Sequence, residues 1–208
     1  MTLLNIGEIL TRSKANGPGI RSVVWVQGCS IQCKGCTNLK LWSNEISYLI
    51  DPIELIHKLK MKAKDIEGIT LTGGEPFDQS EGCSVLLQGA KYNGLSTVLY
   101  TGYTYRLLQG SQDWNVHKML SNTDILIDGP FQQSKAKDKC IRWTGSSNQK
   151  VNFLTERYNR RILFDEISPN EEIHFDSINQ TLVHTGIRKT QIDNNYNQIN
   201  NQWKRKNK

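Results

Sequence analysis

The chain lacks a long hydrophobic run. Hydrophobic residues make up 37% of its 208 positions, and no apolar stretch approaches the ~20 residues that a membrane-spanning helix needs. It also lacks a signal-peptide pattern, internal repeats and an even number of cysteines, a combination that does not suit a secreted disulfide scaffold. We therefore expect a cytoplasmic protein with one main domain, because a chain of this length can bury a sizeable core.

Most of the chain also has little net charge. The formal net charge is +6, but residues 188–208 hold six of the 26 basic residues and one of the 20 acidic residues, which leaves +1 for the rest. This segment is rich in Asn and Gln and poor in aliphatic residues, so it cannot bury enough surface to offset its ordering entropy. We expect a disordered basic tail over 188–208, with a nucleic-acid-binding arm as the alternative.

Three of the five cysteines have the spacing Cys-x3-Cys-x2-Cys: Cys29, Cys33 and Cys36. Iron–sulfur clusters are normally held by four cysteines, so three thiolates would leave one iron open to a substrate or cofactor. The other two cysteines, Cys83 and Cys140, stand alone, and none of the four histidines shows metal-ligand spacing. A closed zinc site needs four Cys or His ligands. It remains the alternative only if a fourth ligand comes from far away in sequence.

Strand and helix patterns alternate between residues 21 and 128. Asp51 and Pro52 have the pattern of a helix N-cap followed by proline at the first helical position, and Asn93-Gly94 ends a second helix. The predicted strands cover 21–26, 66–72, 96–101 and 124–128. One predicted helix begins at Pro52, and two others cover 84–92 and 114–120.

This alternation predicts an α/β fold with a parallel sheet. The chain is too short for a complete eight-unit barrel, which takes ~250 residues, so we expect a partial, open (β/α) barrel. Ligands of parallel α/β folds bind at the carboxyl ends of the strands. The cysteine loop and residues 73–76, 101–103 and 128–130 all fall at that edge.

The alternation stops near residue 150. Short strands or hairpin arms are expected over 151–154, 161–164, 172–175 and 181–184, with a turn at 177–180. We expect a β appendage over 151–187 that covers one edge of the sheet and carries no catalytic signature. The predicted division is therefore a core over 1–150, this β extension, and the tail over 188–208.

A second motif, Gly73-Gly74-Glu75-Pro76, follows an apolar run about forty residues after the cysteines. Together the two motifs resemble the radical S-adenosylmethionine (radical SAM) enzymes. Further segments in the same order, spread over residues 5–152, resemble the anaerobic ribonucleoside-triphosphate reductase activating proteins and related glycyl-radical activases. These segments are Asn16–Arg21, Val24–Cys29, Cys33–Asn38, Leu71–Pro76, Thr101–Tyr103, Asp128-Gly129 and Arg142–Gln149.

The resemblance implies a 4Fe-4S cluster on Cys29, Cys33 and Cys36, with the amino and carboxylate groups of SAM on the open iron. An electron from a flavodoxin- or ferredoxin-like protein would reduce the cluster, which would cleave SAM to methionine and a 5′-deoxyadenosyl radical. That radical would take a hydrogen atom from a glycine Cα of a partner such as anaerobic ribonucleotide reductase. The open side of a partial barrel would admit the glycine-bearing loop.

The resemblance also implies a SAM site. The segment Gly73–Pro76 would receive the methionine amino group, with glycines that let the backbone approach the ligand and with Glu75 either fixing the loop or contacting SAM. A side chain at Gly74 is expected to exclude SAM while leaving the cysteine loop intact. Gly35 stands where much of the superfamily has an aromatic residue against the adenine, so another group must hold that ring.

Four further residues are candidates for the SAM site. Thr101 and Asp128 lie where superfamily members place ribose or carboxylate contacts. Ser146 and Asn148 are candidates either for SAM contacts or for turn caps, because Ser and Asn favour turns. The tryptophans Trp25 and Trp42 are predicted to pack in the core.

One departure leaves other functions open. The resembling activases end near the Ser-Asn-Gln segment, whereas this chain continues for more than fifty residues. That extension favours a stand-alone radical SAM enzyme that modifies a peptide, an RNA base or a small molecule. A non-enzymatic alternative is a metal-stabilised module that binds nucleic acid through the basic tail.

Overall fold

A computed structural model describes residues 2–136, 140–164, 169–176 and 181–187. The elements within these ranges are β1 (Leu4–Ser13), β2 (Arg21–Val26), β3 (Tyr48–Ile50), α1 (Pro52–Lys62), β4 (Gly68–Gly73), α2 (Ser80–Tyr92), β5 (Ser96–Tyr100), α3 (Tyr105–Gln109), α4 (Trp114–Ser121), β6 (Ile125–Asp128), β7 (Lys150–Phe153), β8 (Glu171–Asp176) and β9 (Thr181–Gly186). Short 3-10 turns cover Leu39–Leu41, Pro76–Gln79, Gln133–Lys135 and Arg160–Phe164.

The main sheet has the strand order β3-β1-β2-β4-β5-β6-β7. The central strands β2, β4, β5 and β6 are parallel, and β1, β3 and β7 are paired antiparallel to their neighbours. The fold is therefore mixed α/β, and the prediction of a parallel core is confirmed. The carboxyl ends of the four parallel strands meet at one edge of the sheet.

Local sequence explains the helices that separate the parallel strands. The Asp51 side chain accepts hydrogen bonds from the backbone N–H groups of Ile53 (2.8 Å) and Glu54 (3.0 Å), and Pro52 fills the first turn, as predicted. Helices α1, α2 and α4 pack side by side over one face of the sheet. Their core-facing side chains include Leu55, Ile56, Leu59, Leu86, Leu87, Val116 and Met119.

The opposite face of the sheet is covered by loop segments. Successive residues of a strand point to opposite faces, so Leu99 of β5 lies in the helix-covered core while Val98 packs with Ile125 and Trp143 on the other face. Near β2, Trp25 packs with Leu41, which confirms the core position predicted for Trp25.

The chain after residue 150 differs from the prediction in two places. The strand predicted at 151–154 exists as β7, but it pairs with β6 and therefore lies in the main sheet. The strand predicted at 161–164 is wrong, because Arg160–Phe164 forms a 3-10 turn. The hairpin arms predicted at 172–175 and 181–184 are confirmed as β8 and β9. The turn predicted at 177–180 and the tail at 188–208 lie outside the described residues.

The extension packs against the amino ends of the parallel strands. Thr155 donates a hydrogen bond to Asp124 just before β6 (2.7 Å), and the Tyr158 hydroxyl bonds to Glu67 just before β4. Glu172 of β8 accepts hydrogen bonds from the Ser13 hydroxyl (2.5 Å) and the Lys14 N–H (2.9 Å), close to the start of β2. These contacts lie at the edge opposite to the one where the cysteine motif follows β2. Within the described residues, no helix has the length and apolar character to cross a membrane.

Candidate functional site

A cavity lies where the carboxyl ends of the parallel strands meet the cysteine loop, residues 29–36. All three cysteines of the Cys-x3-Cys-x2-Cys motif line it, and each is partly exposed. The predicted convergence is confirmed, because segments that follow β4, β5 and β6 line the same cavity. These segments contribute Gly73, Gly74, Glu75, Thr101, Gly102 and Gly129.

The backbone folds the cysteine loop tightly. The Gly28 N–H donates to the Leu41 carbonyl (2.9 Å), and the Cys29 N–H donates to the Trp42 carbonyl (3.3 Å), so residues 39–42 support the start of the loop. Gly35 has a φ of 81°, a conformation that glycine adopts more readily than other residues. The backbone conformation of the loop therefore favours glycine at this position. A Cβ at Gly35 would also contact the side chain of Gln133.

Neighbouring groups set the environment of the thiols. Burial raises the pKa of the Cys29 and Cys33 thiols, and the backbone N–H of Phe131 opposes that shift at Cys33 by hydrogen bonding to the sulfur. The Asn38 N–H donates to the Cys36 sulfur at 3.3 Å. Such N–H donors stabilise the thiolate, which is the form that binds iron.

The described residues contain no ready-made site for a single metal ion. In the part of the chain that the structure describes, no three Cys, His, Asp or Glu side chains come close enough together to hold one metal ion. A closed zinc site needs four such ligands around a single ion. A 4Fe-4S cluster instead takes one thiolate on each of several irons, so its cysteines stand further apart.

The two glycines at the end of β4, Gly73 and Gly74, are required by main-chain packing. A Cβ on Gly74 would lie 1.9 Å from the carbonyl oxygen of Gly28, and a Cβ on Gly73, whose φ is 115°, would lie 2.4 Å from the backbone nitrogen of Val26. The glycines therefore let the Gly-Gly-Glu-Pro segment lie against β2 and the start of the cysteine loop. The structure instead predicts that a side chain at Gly74 disturbs the cysteine loop, because the two segments are in direct contact.

Glu75 ties three loops together from a buried position. Its backbone N–H donates to the Gly28 carbonyl (2.8 Å). Its carboxylate accepts from the Phe77 N–H (3.0 Å), the Thr101 hydroxyl (2.8 Å) and the Gly102 N–H (2.9 Å). The side chain is 1% exposed, and this desolvation raises the pKa of Glu75 to about 7 despite the three donors. Of the two roles expected for Glu75, the geometry supports fixing the loop.

A second carboxylate, which the sequence analysis missed, also supports the cysteine loop. Asp78 accepts hydrogen bonds from both the backbone N–H and the hydroxyl of Ser30, each at 2.7 Å. The Ser30 hydroxyl also lies 3.2 Å from the hydroxyl of Tyr103. Together with the bonds of Glu75, these contacts form a ring that joins the cysteine loop, the segment after β4 and the segment after β5. The sequence feature that could have indicated this role is the Asp of Gly-Gly-Glu-Pro-Phe-Asp, three residues after Glu75.

Comparisons with known proteins agree with this geometry. The family described as "4Fe-4S single cluster domain" matches residues 15–152, more than half of the chain. The anaerobic ribonucleoside-triphosphate reductase-activating protein of Vibrio cholerae is 35% identical over 148 residues, which cover 67% of this chain and 92% of that protein. The chain belongs to this family of activating proteins.

Other relatives carry the same description. The activating proteins of Pasteurella multocida and Escherichia coli K12 are 33% and 31% identical, over 68% and 67% of this chain, and each is covered to 92% of its length. The crystal structure of QueE from Escherichia coli is similar at a TM-score of 0.40 and 17% identity, over 49% of this chain and 54% of that one. The hairpin β8–β9 lies beyond the segment that the single-cluster family matches.

The residues at the cavity fit the single cluster that this family description names. Three thiols outside any disulfide line one cavity. Cys83 lies in the helix-covered core, where burial raises the pKa of its thiol, and it does not line the cavity. Cys140 does not line the cavity either. The three motif cysteines are therefore the thiols positioned to hold a cluster there.

The activating-protein motif Gly-Ser-Ser-Asn-Gln fixes the segment after β6. The Ser146 hydroxyl accepts from the Gln132 N–H (3.1 Å), the Asn148 side-chain amide donates to the Pro130 carbonyl (2.8 Å), and the Gln149 amide donates to the Gly129 carbonyl (3.0 Å). Ser146 is fully buried, and of these residues only Gln149 and Gly129 line the cavity. The motif thus holds the segment that places Phe131 beside the cysteines, and the turn-forming role expected for Ser146 and Asn148 has direct support.

Asp128, at the end of β6, has internal partners. Its carboxylate accepts from the Tyr105 N–H (2.6 Å) and the Asn152 side-chain amide (2.8 Å), and it is not part of the cavity wall. Asp128 therefore fixes the start of α3 against β7. Thr101 differs, because it lines the cavity while its hydroxyl bonds to Glu75.

Trp42 is the residue that the sequence analysis misplaced most clearly. It lines the cavity together with the three cysteines, whereas a core position was predicted. Its indole Nε1 is buried and has no hydrogen-bond partner among the described residues. A tryptophan near apolar residues is expected to pack in the core. Its place on the cavity wall follows from the position of the 3-10 turn Leu39–Leu41, which the sequence did not predict.

Proposed function

We propose that the chain is a radical SAM activating enzyme that generates a glycyl radical on anaerobic ribonucleotide reductase. The observation that supports this most strongly is the single cavity that holds all three motif cysteines beside the Gly-Gly-Glu segment. The family of activating proteins to which the chain belongs supports the choice of partner.

Cys29, Cys33 and Cys36 hold the 4Fe-4S cluster as thiolates in this proposal, and SAM binds at the iron that has no cysteine. When both are bound and the cluster is reduced, they supply a 5′-deoxyadenosyl radical and methionine through one-electron cleavage of SAM. The chain's own residues position the cysteine ligands. Glu75 and Asp78 hold the cysteine loop against the segments after β4 and β5, which fixes the thiols relative to the cofactor.

The cofactor site divides into two groups of residues. Gly73–Pro76 and Thr101 are proposed to border SAM, and most of them line the cavity. Asp128, Ser146 and Asn148 are proposed to act on the cofactor site through the segments that they hold. Gly35 leaves the adenine without an aromatic neighbour from the cysteine motif, and the aromatic residues that line the cavity are Trp42, Tyr100 and Phe131.

The fold is suited to a protein substrate. We propose that the parallel strands β2, β4, β5 and β6 form the partial, open barrel of the radical SAM type, whose open side receives a glycine-bearing loop. The described extension contacts the amino ends of these strands, away from the cavity, so it leaves that side unchanged. For the same reason the extension no longer favours a stand-alone enzyme over an activating protein. A flavodoxin- or ferredoxin-like donor and a cytoplasmic location complete the proposal, because open thiolates need reducing surroundings.

The test is formation of a glycyl radical in a defined mixture. The anaerobically reconstituted chain, dithionite and SAM are combined with the anaerobic ribonucleotide reductase of the same organism, and the radical is measured by electron paramagnetic resonance. We expect a glycyl signal on the reductase and stoichiometric 5′-deoxyadenosine. Production of 5′-deoxyadenosine without any radical on the reductase would contradict the proposed partner and would favour another substrate.

A further inference from the structure

Trp42, a residue of the cavity wall, carries a buried hydrogen-bond donor that has no partner among the described residues. Trp42 lines the same cavity as Cys29, Cys33 and Cys36, and its carbonyl accepts the N–H of Cys29. The indole Nε1 is buried and finds no partner within the described ranges of the chain. An indole nitrogen only donates, and no described residue provides an acceptor for this one.

Burial of an unpaired donor is unfavourable, and buried polar atoms of native proteins nearly always have partners. An unpaired indole nitrogen does not by itself identify a ligand. Trp143 also has a buried Nε1 with no partner among the described residues, but it packs with Val98 and Ile125 and does not line the cavity. What distinguishes Trp42 is that the residue carrying the unpaired donor lines the cavity together with the three cysteines.

We propose that the Trp42 Nε1–H donates a hydrogen bond to a sulfur of the bound 4Fe-4S cluster and thereby raises the cluster's reduction potential. The inference rests on the proposed function, because it requires the cluster on Cys29, Cys33 and Cys36. A cluster sulfur is favoured over the SAM carboxylate because Trp42 is tied through its own backbone to Cys29, the first ligand of the loop. Hydrogen bonds to sulfur stabilise the reduced, more negatively charged cluster and so set its potential.

The first experiment compares Trp42→Phe with Trp143→Phe. Each substitution removes one buried indole N–H and a similar volume, but only Trp42 lines the cavity. Both variants and the unaltered protein are reconstituted anaerobically, and iron content is measured before a redox titration of the cluster without SAM. We expect equal iron in all three proteins, a more negative potential in Trp42→Phe, and an unchanged potential in Trp143→Phe.

The second experiment removes the effect of lost volume. Melting temperatures are measured for each protein before and after reconstitution, so that the cost of the smaller ring, present in both forms, cancels in the difference. Without the cluster, Trp42→Phe also removes an unpaired buried donor. We therefore expect a smaller gain in melting temperature on cluster binding for Trp42→Phe than for the unaltered protein, and the full gain for Trp143→Phe.

Several results would overturn the inference. An unchanged potential together with a full gain in melting temperature would show that the indole donor does not contact the cluster. Weaker SAM binding at unchanged potential would assign the donor to the SAM carboxylate instead. Complete loss of iron from a Trp42→Phe protein that melts normally without the cluster would make Trp42 a requirement for shaping the loop. Failure of the unaltered protein to bind iron would contradict the proposed function itself.

Discussion

Glu75 shows how one buried side chain links the fold to the site. Its carboxylate accepts three hydrogen bonds from groups on two loops, yet burial still raises its pKa to about 7. Because the pKa in the folded state lies above the unfolded value of about 4.5, the folded state binds the proton more tightly. The stability associated with Glu75 is therefore fully present below about pH 4.5 and is lost as the pH rises through about 7.

This gives a prediction for the pH dependence of stability. Replacing Glu75 with Gln removes the titrating group, so the fall in the free energy of unfolding between pH 5 and 8 should shrink by up to about 3 kcal/mol. The measurement is denaturant unfolding of the reduced, cluster-free protein at several pH values. A variant whose pH dependence matches that of the unaltered protein would show that Glu75 stays ionised throughout this range.

Gly74 provides a second prediction at the residue scale. A methyl group there would lie 1.9 Å from the carbonyl oxygen of Gly28. Because this oxygen belongs to the main chain, it cannot move away without displacing the cysteine loop. Gly74→Ala should lower the free energy of unfolding by about 3 kcal/mol or more and reduce iron binding together with it. The matched control is Gly89→Ala in α2, where the added Cβ makes an ordinary 3.5 Å contact and should raise stability by about 0.5–1 kcal/mol.

Denaturant unfolding and iron analysis of the two glycine variants check this expectation. If Gly74→Ala folds normally and binds iron but loses SAM, the glycine serves the cofactor directly, as the sequence analysis first expected. The structure predicts instead that Gly74→Ala disturbs the cysteine loop, so that stability and iron binding both fall.

At the scale of elements, sequence patterns predicted long, regular segments and missed short or irregular ones. The strands β2, β4, β5 and β6 were found from β-branched runs that are buried on both faces. The strand β1 was missed because Gly7, Glu8 and Arg12 interrupt its apolar pattern and its pairing with β2 contains irregularities. The strand β3 has only three residues, which is too few for a periodic signal.

Pairing partners could not be read from local sequence either. Residues 161–164 include Ile-Leu-Phe, a typical strand composition, but no ladder partner is available to them among the described strands, and they form a 3-10 turn. The three cysteines and the Gly-Gly-Glu segment could be predicted because they form short motifs whose residue types and spacing indicate what they bind. Asp78 and Trp42 could not, because their roles depend on where two short 3-10 turns lie in space.

The turn Pro76–Gln79 carries its own prediction. Asp78→Ala would leave the N–H and the hydroxyl of Ser30 without their acceptor, so the cysteine loop should loosen while the rest of the fold is retained. We expect several-fold faster iron loss to a chelator, with a change in melting temperature of only a few degrees. Asp65→Ala is the control, because Asp65 is also an exposed aspartate paired with one side chain, Arg12, on the surface. Equal rates of iron loss from the two variants would remove Asp78 from the support of the loop.

At the scale of the whole molecule, the cavity and the C-terminal extension occupy opposite ends of the parallel strands. Glu172 anchors the hairpin β8–β9 through the Ser13 hydroxyl and the N–H groups of Lys14 and Ala15. These three donors lower the pKa of Glu172, although burial acts in the other direction and is the largest single influence. The extension is thus positioned to stabilise the fold and not to shape the cavity.

Replacing Glu172 with Ala tests that separation. We expect the free energy of unfolding to fall by about 1–2 kcal/mol, because three donors lose their acceptor, while 5′-deoxyadenosine production by the reconstituted protein stays unchanged. Glu54→Ala, which removes an exposed pair with Lys58 on α1, should change stability by about 0.5 kcal/mol or less. A marked loss of 5′-deoxyadenosine production in a folded Glu172→Ala protein would place the extension in the functional site.

The central claim is that Cys29, Cys33 and Cys36 hold a cluster at which SAM is cleaved. The most direct measurement is anaerobic reconstitution followed by iron analysis and quantification of 5′-deoxyadenosine. The account predicts about four iron atoms per chain and reductant-dependent 5′-deoxyadenosine. It also predicts loss of both after replacement of any one of the three cysteines by Ala, and retention of both after Cys83→Ala. Iron or 5′-deoxyadenosine at unaltered levels in a Cys33→Ala protein, or their loss in a folded Cys83→Ala protein, would contradict it.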